Sequence, residues 1–86
     1  MHEIIIGERA SRQLRHLPRD VLRSVNLAIE NLGVDPRPRG CRKVRGEEHV
    51  WRVVVRGDYR VIYGVNDETK QVTVYDVKRR EKNTYD

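Results

Sequence analysis

Residues 51–63, from Trp51 to Tyr63, read WRVVVRGDYRVIY, and the rest of the chain can be laid out around them. Two runs of β-branched and aromatic residues flank Arg56, Gly57 and Asp58, the pattern of a β-hairpin with a short glycine-containing loop. With those three residues in the loop, Val55 faces Tyr59, Val53 faces Val61 and Trp51 faces Tyr63, so large apolar side chains share one face. That face needs a helical layer against it. Alternation puts Arg52, Val54, Arg60 and Ile62 on the other face, which places two guanidinium groups among apolar neighbours near the middle of a sheet.

Upstream, Glu3–Ile6 reads as a strand ending at Gly7, and its three consecutive isoleucines predict burial on both faces and a central or near-central place in the sheet. From Glu8 the period changes. Ala10, Leu14 and Leu17 form the stripe of an amphipathic helix whose opposite face is Arg9, Arg12, Gln13 and Arg15. Pro18 opens a second helix, in which Val21, Leu22, Val25, Ala28, Ile29 and Leu32 carry the apolar stripe and Gly33 is the expected residue just past its end. The segment GVDPRPRGCR, with two prolines, is an irregular connection. Cys41 to Arg45 reads as a short edge strand and Gly46 to His49 as a turn. Downstream of the hairpin, Asn66 to Lys70 is a polar turn into a last strand, Gln71 to Val77. The order β-α-α-β-β-β-β predicts an α+β fold, an antiparallel sheet with an N-terminal strand and an αα-hairpin packed on one face, in one domain spanning 1–86.

The chain has 86 residues, 37% hydrophobic and 36% charged, and one cysteine. A chain this short builds one core. No run approaches membrane-spanning length and no secretory signal pattern is present, so a cytoplasmic protein with no membrane partner is expected. Cys41 has no partner for a disulfide, and His2, His16 and His49 lack metal-ligand spacing, so neither metal nor cofactor is expected. Net charge is +5, which favours an acidic partner. Its distribution is uneven: Arg37, Arg39, Arg42, Lys43 and Arg45 form one cluster, and Lys78, Arg79, Arg80 and Lys82 another.

No phosphate loop, nucleophile elbow or acidic metal cluster occurs. What can converge is a set of arginines. Arg52 and Arg60 lie on one face of adjacent strands, and a last strand antiparallel to the hairpin would bring Arg80 to the same face. Guanidinium forks bind phosphate oxygens bidentately and stabilise the added charge of a pentacovalent transition state. Tyr85 could stack on a base or help orient the attacking hydroxyl. The plainer alternative for Arg52 and Arg60 is a solvated face paired with acidic neighbours.

Together, KVRG at Lys43–Gly46, then WRVVVRGDYRVIYGVND, then VTVYDVKRREKNTY resemble the RelE/ParE superfamily of toxins from type II toxin–antitoxin systems, on the side of the RelE branch. The resemblance covers essentially the whole chain. It implies a RelE-like fold and a ribosome-dependent mRNA endoribonuclease (mRNA interferase) that inhibits translation, uses no metal, and is silenced by a cognate antitoxin. The messenger's 2′-hydroxyl would attack the scissile phosphate, leaving a 2′,3′-cyclic phosphate and a 5′-hydroxyl. Matched positions assign Arg52, Arg60 and Arg80 to phosphate and transition-state stabilisation and Tyr85 to the family's terminal tyrosine. Lys43, Arg45, Lys78, Arg79 and Lys82 fall to RNA and ribosome contact. The implied partners are the antitoxin, the ribosome with its message, and operator DNA reached through the antitoxin complex. Val54 stands where some members carry a second lysine and Arg79 where many carry histidine, and both departures remove proton-transfer groups. His49, Glu47 and Glu48 are the remaining candidates for a base. The alternatives are a ParE-like poison of DNA gyrase and a non-catalytic module that binds antitoxin and assists repression.

Overall fold

The computed structural model describes residues 1–80. Its elements are β1 (Glu3–Ile6), α1 (Glu8–Arg15), α2 (Arg19–Val34), β2 (Arg42–Lys43), β3 (Val50–Val55), β4 (Tyr59–Asn66) and β5 (Gln71–Arg79). The strands form one sheet in the order β1-β5-β4-β3-β2. All pairs are antiparallel except β1 with β5, which is parallel. No helix among the described residues is long and apolar enough to cross a membrane.

The central hairpin has the expected register, with Val55 opposite Tyr59, Val53 opposite Val61 and Trp51 opposite Tyr63. Its turn uses positive φ at Arg56 (58°) and Gly57 (79°), the backbone hand that matches the twist of the flanking strands. Arg56 is not glycine, so this conformation costs about 1 kcal/mol. Its side chain reaches α2, donating to Ser24 Oγ (3.3 Å) and Asp20 Oδ2 (3.3 Å), which ties the hairpin tip to the helix layer.

The core lies between the helices and one sheet face, where Val25, Leu32, Val61, Tyr63, Val72 and Val74 are almost wholly buried. These residues repeat at helical spacing in α2 and at alternate positions in β4 and β5, so one hydrophobic layer joins the two.

Three expectations need correction. β1 is an edge strand, not a central one, and Ile5 and Ile6 are 37% and 38% exposed. Only Ile4 of the three isoleucines packs against the core; Ile5 lies beside Thr73 on the open face. Gly33 does not end α2, which runs on to Val34 with Asp35 as its cap. It is instead a point of close approach: a Cβ there would lie 3.0 Å from the His2 carbonyl oxygen, and the His2 N–H donates to Gly33 O at 2.7 Å. Gln13, read as part of a solvent face, is half-buried and caps the sheet. β1 stops opposite Val74, leaving the next stretch of β5 without a strand beside it. Gln13 takes that place: Val77 N–H donates to Oε1 (2.6 Å) and Nε2 donates to Asp76 Oδ1 (2.6 Å).

Candidate phosphate-binding cleft

Because β3 and β4 alternate, the face away from the helices receives Arg52 and Val54 from β3 and Arg60 and Ile62 from β4. Arg60 is paired with Lys78 of β5, so Lys78 and Arg80 share this face. The Arg80 N–H donates to Asp58 O at 2.6 Å, which prolongs the pairing of β5 with the β3–β4 turn and fixes the start of the Arg80 side chain. At the other end of the row, Arg42 of β2 stands directly opposite Arg52.

The result is a row of arginines crossing the strands. Arg42, Arg52, Arg60 and Arg80, with Gly40 and Val54, line a cleft of about 150 Å³. Arg52 and Arg60 are half-buried and Arg42 and Arg80 exposed. Arg52 and Arg60 are diagonal neighbours on adjacent strands, a spacing of about 7–8 Å that long side chains span. Neither Arg42 nor Arg52 forms a salt bridge with a described residue. Like charges held side by side at Arg42 and Arg52 favour any ligand that supplies phosphate oxygens.

The connection that delivers Gly40 and Arg42 is firmly anchored. Tyr63 donates its hydroxyl to Pro36 O at 2.7 Å. Arg37 donates to Asp67 Oδ2 at 2.7 Å, and its guanidinium lies 5.4 Å from the centre of the Trp51 ring. Arg37, and then His2, hold the Asp67 carboxyl below its ordinary range, while the hydrogen bond to Asp67 raises Arg37. Burial first, and Cys41 next, push the Tyr63 phenol well above its ordinary value. A protonated Tyr63 is what the hydrogen bond to Pro36 requires.

Arg52, Arg60 and Arg80 are therefore brought together, as their alternation predicts. The residues expected to meet RNA and ribosome are divided. Lys78 lies beside Arg60. Arg79 alternates to the other side, opposite Tyr59, with Nε 3.7 Å from Asp58 Oδ2. Lys43 is opposite Trp51 and also faces away from the row. Arg45 occupies the turn Val44–Glu47, in which Gly46 has φ 83°, at the end of β3 remote from the row. Tyr85 and Lys82 lie outside the described residues. His49 precedes β3 and Arg60 faces Val54, so the histidine is about 17 Å along the strand from Arg60 at 3.3 Å per residue. Arg42 joins the cleft without having been marked as a site residue. The only signal for it was a basic residue on the expected edge strand, and no pattern fixed that strand's register.

The model for the family described as the ParE toxin of the type II toxin–antitoxin system, parDE, matches residues 4–84. No curated protein sequence matches the chain. Among solved structures, the isolated RelE toxin of E. coli is similar with TM-score 0.85 and 26% identity, over 96% of this chain and 88% of that one. The intact E. coli RelBE toxin–antitoxin complex gives 0.83 and 26%, over 95% and 100%. The archaeal RelE–RelB complex of Pyrococcus horikoshii OT3 gives 0.79 and 29%, over 94% and 97%. The chain belongs to the ParE toxin family of type II toxin–antitoxin systems, with a fold like that of the RelE toxins.

Proposed function

We propose that this toxin is a ribosome-dependent mRNA endoribonuclease whose arginine row holds the scissile phosphodiester. The observation that supports it is the convergence of Arg42, Arg52, Arg60 and Arg80 on one cleft of the open sheet face. A phosphodiester there would meet guanidiniums from several strands. In the reaction the message's 2′-oxygen bonds to phosphorus, the bond to the 5′-oxygen breaks, and the 2′-hydroxyl proton passes to an acceptor while the leaving oxygen gains one. The guanidiniums stabilise the dianionic phosphorane between these events. The described lining residues include neither imidazole nor carboxylate, so proton transfer falls to groups outside that set, in the toxin, the message, the ribosome or water. General acid–base help is worth about 10²–10⁴-fold, which makes this a slower cleft than one equipped with such groups.

The relatives solved with RelB support a cognate antitoxin as the physiological partner, and an acidic segment laid over the arginine row would exclude RNA. Operator DNA would then be reached through the toxin–antitoxin complex.

The test uses ribosomes programmed with an empty decoding site. The message is cut by the wild-type protein and cut at least tenfold more slowly by Arg60→Ala and Arg80→Ala. The name of the matching family model favours a second reading, a gyrase poison. Intact message together with gyrase-dependent DNA breaks would establish that reading instead. Neither activity, with antitoxin binding retained, would leave a co-repressor.

A further inference from the structure

The open sheet face has a second concavity. Toward the β4–β5 turn, residues that include His49, Gly64, Thr73 and Tyr75 enclose a cleft of about 460 Å³. The backbone under it is irregular. Tyr63 pairs with Val74 and the adjacent Ile62 with Asp76, so Tyr75 is the extra residue of a bulge in β5. Bulges re-aim side chains, and this one sends Tyr75 across β4. A Cβ on Gly64 would lie 2.8 Å from Tyr75 Oη and 2.9 Å from Cε2, so the tyrosine occupies the space that any other residue at 64 would need. Gly64 is buried as a result, yet Tyr75 itself remains 47% exposed.

Covering a strand glycine with an aromatic ring protects backbone, and that accounts for the part of the Tyr75 ring that lies against Gly64. The placement of an exposed aromatic ring on this face does more. Arg60 and Gly64 are on the same strand, about 13 Å apart at 3.3 Å per residue. An aromatic platform on a sheet that also holds a cationic row is the combination by which proteins take single-stranded RNA, bases on rings and phosphates on cations. We infer that Tyr75 is the stacking platform of a second RNA subsite, which takes one unpaired base of the strand whose scissile phosphate lies in the arginine row. This subsite rests on the ribonuclease reading. It assigns to Tyr75 a role in choosing where along the message the cut falls.

Programmed ribosomes again provide the test, at subsaturating toxin, with a series of messages each lacking the base of one nucleotide near the cleavage point. For the wild-type protein, removal of one particular base slows cleavage on the order of tenfold, and removal of more distant bases does not. Tyr75→Leu cuts the complete message at that slower rate and loses the dependence on that base; Tyr75→Phe, which keeps a ring over Gly64, keeps the dependence. Wild-type cleavage that is indifferent to every base overturns the subsite, whether or not Tyr75→Leu folds. So does a base effect that persists in Tyr75→Leu. In either case a slow Arg60→Ala leaves the ribonuclease reading standing. Messages left uncut by the wild-type protein overturn both.

Discussion

Arg42 on β2 and Arg52 on β3 stand directly opposite one another, and neither forms a salt bridge with a described residue. Like charges in that position cost roughly 0.2–1 kcal/mol relative to a neutral pair. Arg42→Gln is therefore expected to raise unfolding free energy by a few tenths of a kcal/mol in urea titrations while slowing message cleavage several-fold. The two effects in opposite directions would mark Arg42 as a residue kept for ligand; a loss of stability would mark it as structural.

Val54 lies between Arg52 and Arg60 on the open face, is 45% exposed and lines the arginine cleft. Val54→Lys places an amine there without displacing core. Neighbouring guanidiniums lower the pKa of such an amine toward the range where it can accept a proton. Cleavage should accelerate by about tenfold or more, and the gain should increase with pH as the amine loses its proton. A rate that is unchanged at every pH would argue that proton transfer does not limit this toxin.

Gln13 holds Val77 N–H and Asp76 where β1 has ended. Gln13→Ala leaves that amide without its partner in a half-buried place, a cost of about 1–3 kcal/mol. Faster hydrogen exchange at Val77 than at Val72, which has β1 beside it, would locate the loss.

Acid should loosen the anchored connection through Asp67. Its folded-state pKa is lowered, by Arg37 first and His2 second, so its stabilising contribution is complete above the ordinary value of 3.8 and is lost as pH falls through the lower folded-state value. Thermal midpoints of the wild-type protein and Asp67→Asn should differ near pH 5, where the carboxylate is ionised, and converge as pH falls well below 4. A difference that persists at low pH would mean that ionisation of Asp67 does not matter to the fold.

The hairpin register was legible because period-two alternation on both sides of one glycine-containing loop admits few pairings, and Trp51–Tyr63 follows from Val55–Tyr59. The same alternation revealed Arg52 and Arg60 as neighbours and, through the antiparallel last strand, Arg80. Arg42 was not legible: a two-residue strand after a proline-rich connection carries no periodic signal of register. β1 misled because its three isoleucines read as two buried faces, whereas Ile5 and Ile6 lie partly open at the sheet's edge. Gln13 and Gly33 owe their roles to where β1 ends and how closely α2 approaches it. Both are tertiary facts that leave a helix pattern unchanged.

The most direct measurement is single-turnover cleavage on programmed ribosomes of two messages, one all-ribose and one with a single 2′-deoxynucleotide immediately 5′ of the scissile phosphate. The expected result is a cut all-ribose message ending in a 2′,3′-cyclic phosphate and a 5′-hydroxyl, an intact deoxy message, and much slower cutting by Arg60→Ala and Arg80→Ala. An all-ribose message left whole, or cut as fast by both arginine variants as by the wild-type protein, would contradict the role given to the arginine row.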